Sequence, residues 1–181
     1  EDKMYHAPDQ AGAGLIRVNA GQVYVTTPGT GASDETIQNA INAATGGDTV
    51  NVQAGTFVEN LTVGTAVTLQ GANVGIAGNG VRGPESVIKA GSAGAAGIEV
   101  NVGNVTIDGF TVDGDAKVVR AIRVNEVDNA KVQNNIITGA ERGVQFNGKY
   151  GFGNTGGVVS SNLIQNLNGV TSYGVLAFDS S

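Results

Sequence analysis

A short segment recurs in the second half of the chain, and its spacing constrains the fold more than any other feature. The copies are Gly97–Asn101, Ala121–Asn125, Gly143–Asn147 and the weaker Gly174–Phe178. Successive copies begin 24, 22 and 31 residues apart. This spacing is typical of solenoid proteins, whose repeats span roughly 20 to 50 residues. The glycine-rich stretch 148–157 lies in the longest interval, and a loop inserted there accounts for the extra length.

A second pattern follows the copies and begins at Val105, Val132 and Val159. In both patterns apolar and polar residues alternate over two to five positions, which indicates short strands. The corners between them are rich in Gly, Asn and Asp, residues that adopt left-handed backbone conformations most readily. Because such corners redirect the chain without reversing it, we predict three parallel sheets wound into a coil, with coils stacked about 4.8 Å apart.

Asparagines recur at equivalent places in the predicted coils. Stacked side-chain amides can satisfy one another and fix the register, so we interpret these residues as structural. The two predicted ladders are Asn135 with Asn162, and Asn101 with Asn125 and Asn147.

One helical segment precedes the repeats, at about residues 33–45. Ser33 is a favourable N-cap, and the apolar residues that follow share one helical face: Ile37, Ala40, Ile41 and Ala44. We predict that this helix caps the open end of the solenoid. Residues 13–181 are expected to form one domain, and residues 1–12 a polar tail or a cloning remnant. Because the last copy begins another coil, we expect a longer solenoid or a second chain to cover that end.

Composition excludes several kinds of function. The 181 residues include no cysteine and a single histidine, His6, and carry a formal charge of −6. Disulfide scaffolds and cysteine or histidine-rich metal sites are therefore excluded. The acidic balance argues against nucleic acid as a partner. The sequence contains no apolar run long enough for a membrane span.

The segment from Thr36 to Leu69 resembles the start of right-handed parallel β-helix proteins. The similar stretches are Ile37–Ala44, Gly47–Val50, Ala54–Asn60 and Val67–Leu69. This pectate-lyase-like, or pectin-lyase-fold, superfamily includes pectate lyases, pectin methylesterases, alginate epimerases, phage tailspikes and many repeat proteins of the cell surface. The resemblance implies an all-β fold, a right-handed parallel β-helix with three sheets and one short capping helix. It also implies an extracellular or cell-surface location.

The catalytic signatures of that superfamily are incomplete in this chain. A pectin-methylesterase-like site needs two aspartates and a glutamine on the first sheet, whereas the predicted outward column reads Glu99, Arg123, Gln145 and Leu176. The segment Lys149–Gly153 resembles part of the mannuronan epimerase motif, but it lacks the aspartate and the histidine of those enzymes.

A basic stripe beside this column is the candidate site. Arg120 and Arg142 precede consecutive copies, and Lys117 and Lys149 are close in sequence. Guanidinium groups one coil apart suit the carboxylates or sulfates of an acidic polysaccharide. The alternative is a solvated sheet face on which Glu99 pairs with Arg123. Tyr150 and Phe152, in the loop, form either one wall of a glycan groove or a hydrophobic flap. The candidate glycan-facing residues are Glu99, Arg120, Arg123, Arg142, Gln145, Lys149, Tyr150 and Phe152.

Several carboxylates lie in the same coils and raise the question of Ca²⁺, which takes several oxygen ligands. No calcium-binding repeat is present, and the fragment Asp113-Gly114-Asp115 also suits a turn. We therefore predict no cofactor, with Ca²⁺ as the alternative. The carboxylates in question are Asp108, Asp113, Asp115, Glu126, Asp128 and Glu141.

Two function classes follow from the sequence. The first is a non-catalytic module of a secreted or surface protein, structural or adhesive, that binds acidic glycans. The second is a polysaccharide lyase or C5-epimerase, which needs a general base and a group that neutralises the uronate carboxylate. Arg123 or Arg142 can serve those roles with Tyr150 as the acid, and further catalytic residues would then lie outside this sequence.

Overall fold

The chain forms three parallel sheets that wind around one apolar core. The computed structural model describes residues 19–29, 35–149 and 154–180. Within them, helix α1 spans Ile37–Ala43. The strands in chain order are β1 Gln22–Val25, β2 Thr49–Val52, β3 Gly55–Val58, β4 Leu61–Val63, β5 Thr68–Gln70, β6 Ser86–Lys89, β7 Gly94–Val100, β8 Thr106–Asp108, β9 Thr111–Asp113, β10 Val118–Asn125, β11 Lys131–Gln133, β12 Ile136–Thr138, β13 Arg142–Lys149, β14 Val158–Ser160, β15 Leu163–Ile164 and β16 Tyr173–Ser180.

Each sheet takes one strand from each successive coil. Sheet A has the order β1-β2-β5-β8-β11-β14, sheet B β3-β6-β9-β12-β15, and sheet C β4-β7-β10-β13-β16. Neighbouring strands pair in parallel in all three sheets. The predicted three-sheet parallel β-helix is therefore confirmed.

Sheet C contains the recurring segment in the predicted register. Ile122 pairs with Ile98 in the preceding coil and with Val144 in the following one. All three side chains are fully buried and stack inside the coil. Each such side chain contributes roughly 1.5–3 kcal/mol when it leaves water, so the apolar columns are the main source of stability.

The register of the second pattern differs from the prediction in its first copy. Val132 pairs with Ile107 and with Val159, whereas the sequence pattern aligned it with Val105. The error is two residues. A shift of two keeps every side chain on the same face of the strand, so alternation alone could not detect it.

The corners between sheets A and B show why glycine and asparagine are abundant. Gly109, Asn134 and Ser161 occupy equivalent positions and have φ values of 81°, 57° and 55°. The next residue in two of these corners forms a predicted ladder, because Asn135 Nδ2 donates to Asn162 Oδ1 at 3.0 Å. The second ladder is also present: Asn125 donates to Asn101 at 2.8 Å, and the Asn147 and Asn125 amides lie 3.1 Å apart.

Helix α1 covers the first coil, as predicted. It packs against β1, β2 and β4 through Ile37, Ala40 and Ile41, all of which are buried. Its N-terminus differs from the prediction, because the helix begins at Ile37 with Thr36, and not Ser33, at the N-cap position. Thr36 makes no side-chain capping bond.

The cap of α1 comes instead from the β3–β4 connection. The Glu59 carboxylate accepts hydrogen bonds from the backbone N–H groups of Ile37 and Gln38 at 2.8 and 3.0 Å. These bonds satisfy two of the otherwise unpaired N–H groups of the first turn. Since Glu59 is more than 20 residues away in sequence, a local capping motif could not reveal it.

Residues 71–85, between β5 and β6, form a strap along the outside of the coil. The strap runs over later coils, where Gly75 N–H donates to Asp108 Oδ1 at 3.0 Å and Gly78 N–H donates to the Ser161 carbonyl at 2.8 Å. A Cβ on Gly78 would overlap the Asn135 carbonyl oxygen, so only glycine allows this close approach.

Arg82 fastens the strap. Its side chain is only 5 % exposed and forms a two-pronged ion pair with Glu85, at 2.7 and 2.9 Å. The same guanidinium donates to the carbonyl oxygens of Ile76 and Asn134, both at 2.7 Å. One side chain thus joins the strap to a corner more than 50 residues further along the chain.

The last coil is less covered than the others. Val175 is 49 % exposed, although its register partner Val144 is fully buried. The described residues place no strand on the outer edge of β16. In the described part of the chain, no helix has the length and apolar character needed to cross a bilayer.

We expect Asn135→Ala to lower the free energy of unfolding by about 3 kcal/mol, since it leaves buried backbone groups without partners. The fully buried Asn135 amide accepts from Phe110 N–H at 2.9 Å and donates to the Ile107 carbonyl at 3.0 Å. Guanidinium unfolding measures the change. Asn125→Ala is the matched control, because water can replace its partners. Equal losses in the two variants would contradict a special role for the buried ladder.

We expect Glu85→Gln to weaken the acid dependence of stability. Burial raises the pKa of the Glu85 carboxyl, but the hydrogen bonds and charge of Arg82, with the Thr111 hydroxyl, outweigh burial and lower the pKa below its ordinary 4.5. A lowered folded-state pKa stabilises the fold above the unfolded-state value, and this stabilisation disappears as the pH falls through the folded-state pKa.

The measurement is the unfolding free energy at about pH 7 and about pH 3. Glu85→Gln should be less stable than the wild type at the higher pH and should lose less stability on acidification. The exposed Glu126→Gln serves as the control. A Glu85→Gln protein with the full acid dependence of the wild type would refute this role for Glu85.

Candidate functional site

The predicted outward column of sheet C is present in register. Arg123 pairs with Glu99 and with Gln145, and Gln145 pairs with Leu176. Arg120 pairs with Arg142 in the neighbouring column. The structure therefore brings together five of the eight residues proposed from sequence.

A break in the alternation of β10 allows Arg120 and Arg123 to emerge on the same face. Ala121 and Ile122 are consecutive and both fully buried, and the arginines on either side of them are partly exposed. Gly143 and Val144 repeat this arrangement in β13, between Arg142 and Gln145. The small residue at the first of the two buried positions is what permits the pair to fit inside the coil.

Gln145 lies at the centre of the site and is fully buried, which the sequence did not predict for an outward position. Its Oε1 accepts from Arg120 Nε at 2.7 Å and from Arg142 Nη1 at 3.0 Å, and its amide lies beside the Asn147 amide, whose oxygen accepts from Arg123 Nε at 2.7 Å. The side chains of Arg120 and Arg142 thus cover Gln145 on the outer face of sheet C. The arginine cluster (Arg120, Arg123 and Arg142) surrounds this amide.

Two carboxylates border the arginine cluster. Glu99 pairs with Arg123 at 3.1 Å and accepts from Asn125 Nδ2 at 2.6 Å. Glu141 pairs with Arg142 at 3.5 Å. Each of these four charged side chains is between 23 and 31 % exposed, so solvent screens both pairs. The Glu99–Arg123 pair that the sequence suggested as an alternative is present beside the cluster.

The electrostatic environment is crowded with positive charge. Burial lowers the pKa of the Arg120 guanidinium, and the charges of Arg123 and Arg142 lower the pKa further. Glu141 and Glu99 act in the opposite direction without cancelling these effects. An additional negative group at this face would therefore relieve the repulsion among the three arginines.

Other residues proposed from sequence are not part of the described site. Lys117 lies elsewhere, because its Nζ pairs with Asp115 at 2.6 Å. Lys149 ends β13, but its side chain lies outside the described part of the structure, as do Tyr150 and Phe152. Glu141 and Asn125 contact the cluster but were not proposed as members. The adjacency of Glu141 to Arg142 was the only sequence signal for either residue.

Several of the acidic residues considered for Ca²⁺ are bonded within the coil itself. Asp113 Oδ1 accepts from Asp115 N–H at 2.8 Å, and Asp115 also pairs with Lys89 at 2.9 Å. Asp108 is almost buried and accepts from Gln133 and Asn134. Among the described residues, no group of three or more His, Asp or Glu side chains is placed to hold a metal ion.

Comparison with known proteins identifies no related protein. No protein-family model, no curated protein and no solved structure matches this chain. The fold is therefore established by its own sheets and register, and the resemblance to the pectate-lyase-like superfamily stays an interpretation.

We expect Gln145→Glu to raise the unfolding free energy by about 2 kcal/mol at neutral pH, because a carboxylate would lie between Arg120 and Arg142 and accept charge-assisted hydrogen bonds. The gain should disappear as the pH falls through the lowered pKa of the introduced carboxyl. Urea unfolding at neutral and acidic pH measures both effects. The exposed Gln165→Glu is the control. A destabilised Gln145→Glu protein at neutral pH would contradict the geometry of the arginine cluster.

Proposed function

We propose that this protein is a non-catalytic β-helix module of a secreted or cell-surface protein and that it binds acidic polysaccharide through the arginine cluster. One observation carries the proposal: the guanidinium groups of Arg120 and Arg142 share a buried, uncharged amide on sheet C, and a third guanidinium, that of Arg123, lies on the strand paired beside it. Among the described residues, the carboxylates that pair with the cluster are those of Glu99 and Glu141. The local excess of positive charge lies on a chain with a net charge of −6.

The chemistry of the cluster suits carboxylates and sulfates. A guanidinium group presents paired N–H donors in a planar fork that matches such oxyanions. Gln145 Oε1 uses only one donor from Arg120 and one from Arg142. Within the described residues, the buried Nε of Arg142 has no hydrogen-bond partner. The Nε of Arg142 is closed to solvent, so an anionic ligand would bind through the guanidinium N–H groups that these contacts leave exposed.

The arrangement of the arginines favours an extended ligand. Arg120 and Arg123 lie on β10 and Arg142 on β13, one coil further along the solenoid. Adjacent strands are about 4.8 Å apart, so a chain with acidic groups along its length can contact both coils. Because the cluster is partly exposed, its interactions are screened, and binding should weaken as salt rises.

The fold as a whole is compatible with a role at the cell surface. Stacked parallel coils form a stiff unit suited to a structural or adhesive stalk. We also propose that the chain belongs to the pectate-lyase-like superfamily. We infer that it comes from a bacterium and acts outside the cell or at the cell surface.

The alternative is a polysaccharide lyase or C5-epimerase acting on uronate-containing glycans. The placement of Arg123 and Arg142 on adjacent coils favours it, because such an enzyme needs both a base and a group that neutralises the uronate carboxylate. Arg123 or Arg142 would then neutralise the uronate carboxylate. Tyr150, the proposed acid, lies outside the described residues.

The test uses calorimetry to measure the binding of alginate and polygalacturonate at low salt. We expect the double variant Arg120→Gln and Arg142→Gln to weaken binding about tenfold or more, because each lost charge-assisted hydrogen bond costs roughly 1.5–3 kcal/mol. Lys89→Gln with Lys131→Gln is the matched control, since it removes the same charge from sheets B and A.

Three outcomes separate the two functions. Binding without product, lost only in the arginine variant, supports the module. Ultraviolet absorbance from unsaturated products, or a changed uronate composition, would support the enzyme instead. No binding to any acidic polymer, or equal losses in the arginine and lysine variants, would refute the proposed role of the cluster.

A further inference from the structure

Sheet A carries an outward row that is chemically unlike the arginine cluster. Tyr24, Asn51 and Gln70 are register neighbours in three successive coils, and the row continues to Asp108 and Gln133. Over its first three members the row is uncharged. It borders a groove of about 610 Å³, a volume within the range of small-molecule sites.

The groove has two walls built by different segments. Gly71, Ala72 and Val74, where the strap leaves sheet A, form one wall. Thr27, Gln53 and Ala54 form the other. Thr27 holds this second wall in place, because its hydroxyl donates to the Ala54 carbonyl at 2.6 Å. The groove therefore depends on the strap and on the β2–β3 corner.

Asn51 and Gln70 supply the amide groups of the groove. Asn51 Nδ2 donates to Gln22 Oε1 at 2.7 Å, which orients the amide. Among the described residues, nothing hydrogen-bonds the Gln70 side chain. Tyr24 is 43 % exposed, and Val74 is 42 % exposed. The groove thus offers an aromatic ring, an apolar edge and amide groups, and none of the described residues that line it is charged.

We propose that this groove binds a neutral oligosaccharide, at a second site independent of the arginine cluster. Aromatic rings pack against the apolar faces of sugars, and amides both donate to and accept from sugar hydroxyls. An uncharged lining gives no compensation for the desolvation of a carboxylate or sulfate, which disfavours acidic sugars. The proposal does not rest on the arginine cluster, because the two sites lie on different sheets.

The test uses NMR titration to measure the binding of two probes, cellotetraose and xylotetraose. We expect Tyr24→Ala to weaken binding about tenfold, Gln70→Ala to weaken it less, and Tyr24→Phe to retain most of it. Tyr173→Ala is the matched control, because Tyr173 has nearly the same exposure, 41 %, but lies on sheet C. Near-native thermal unfolding of Tyr24→Ala would show that the fold is intact.

Salt dependence separates this site from the arginine cluster. Binding at the groove should be unchanged by added salt and by the Arg120→Gln and Arg142→Gln double variant, because the interaction involves no charges. Failure of both probes to bind, or equal losses in Tyr24→Ala and Tyr173→Ala, would overturn this proposal and leave the proposed function untouched. Competition by alginate at the groove would also overturn it.

Discussion

The parallel stacking of coils in register is the constraint on which the rest of the structure depends. Every side chain meets its equivalent in the coils on either side, so a residue type that suits one coil must also suit its neighbours. Inside, this rule produces continuous columns such as Ile98, Ile122 and Val144. At the corners, it produces amide ladders that hydrogen-bond the backbone and one another. Stability and register therefore have the same origin.

The same constraint creates the arginine cluster. Register places Arg120 directly beside Arg142, a pairing of like charges that would be unfavourable without compensation. Gln145 supplies an oxygen that both arginines share, and Glu141 and Glu99 provide opposite charges. Burial is the largest cause of the lowered pKa of Arg120, and the charges of Arg123 and Arg142 lower that pKa further in spite of the two carboxylates. A surface with unrelieved positive charge is suited to an anionic partner.

Repetition determined how far the sequence could predict this structure. The segment on sheet C has small residues at its start and asparagine at its end, so its register was predicted correctly. The Val105 segment has only alternation, which is unchanged by a shift of two residues, and its predicted register was wrong. The burial of Gln145, the Glu59 cap and the path of the strap depend on contacts between distant segments. Such contacts leave no periodic signal in a single sequence.

The strap accounts for the difference between the two candidate faces. The outward row of sheet A contains a carboxylate at Asp108, but Gly75, Gln133 and Asn134 all donate to it under the strap. Its charge is thereby satisfied and removed from solvent, leaving the neutral end of the row open. Beside sheet C, by contrast, the paired side chains are 23 to 31 % exposed: Glu99, Arg123, Glu141 and Arg142. One solenoid can therefore present a neutral groove and a cationic face, because a single inserted segment covers the charge on one sheet only.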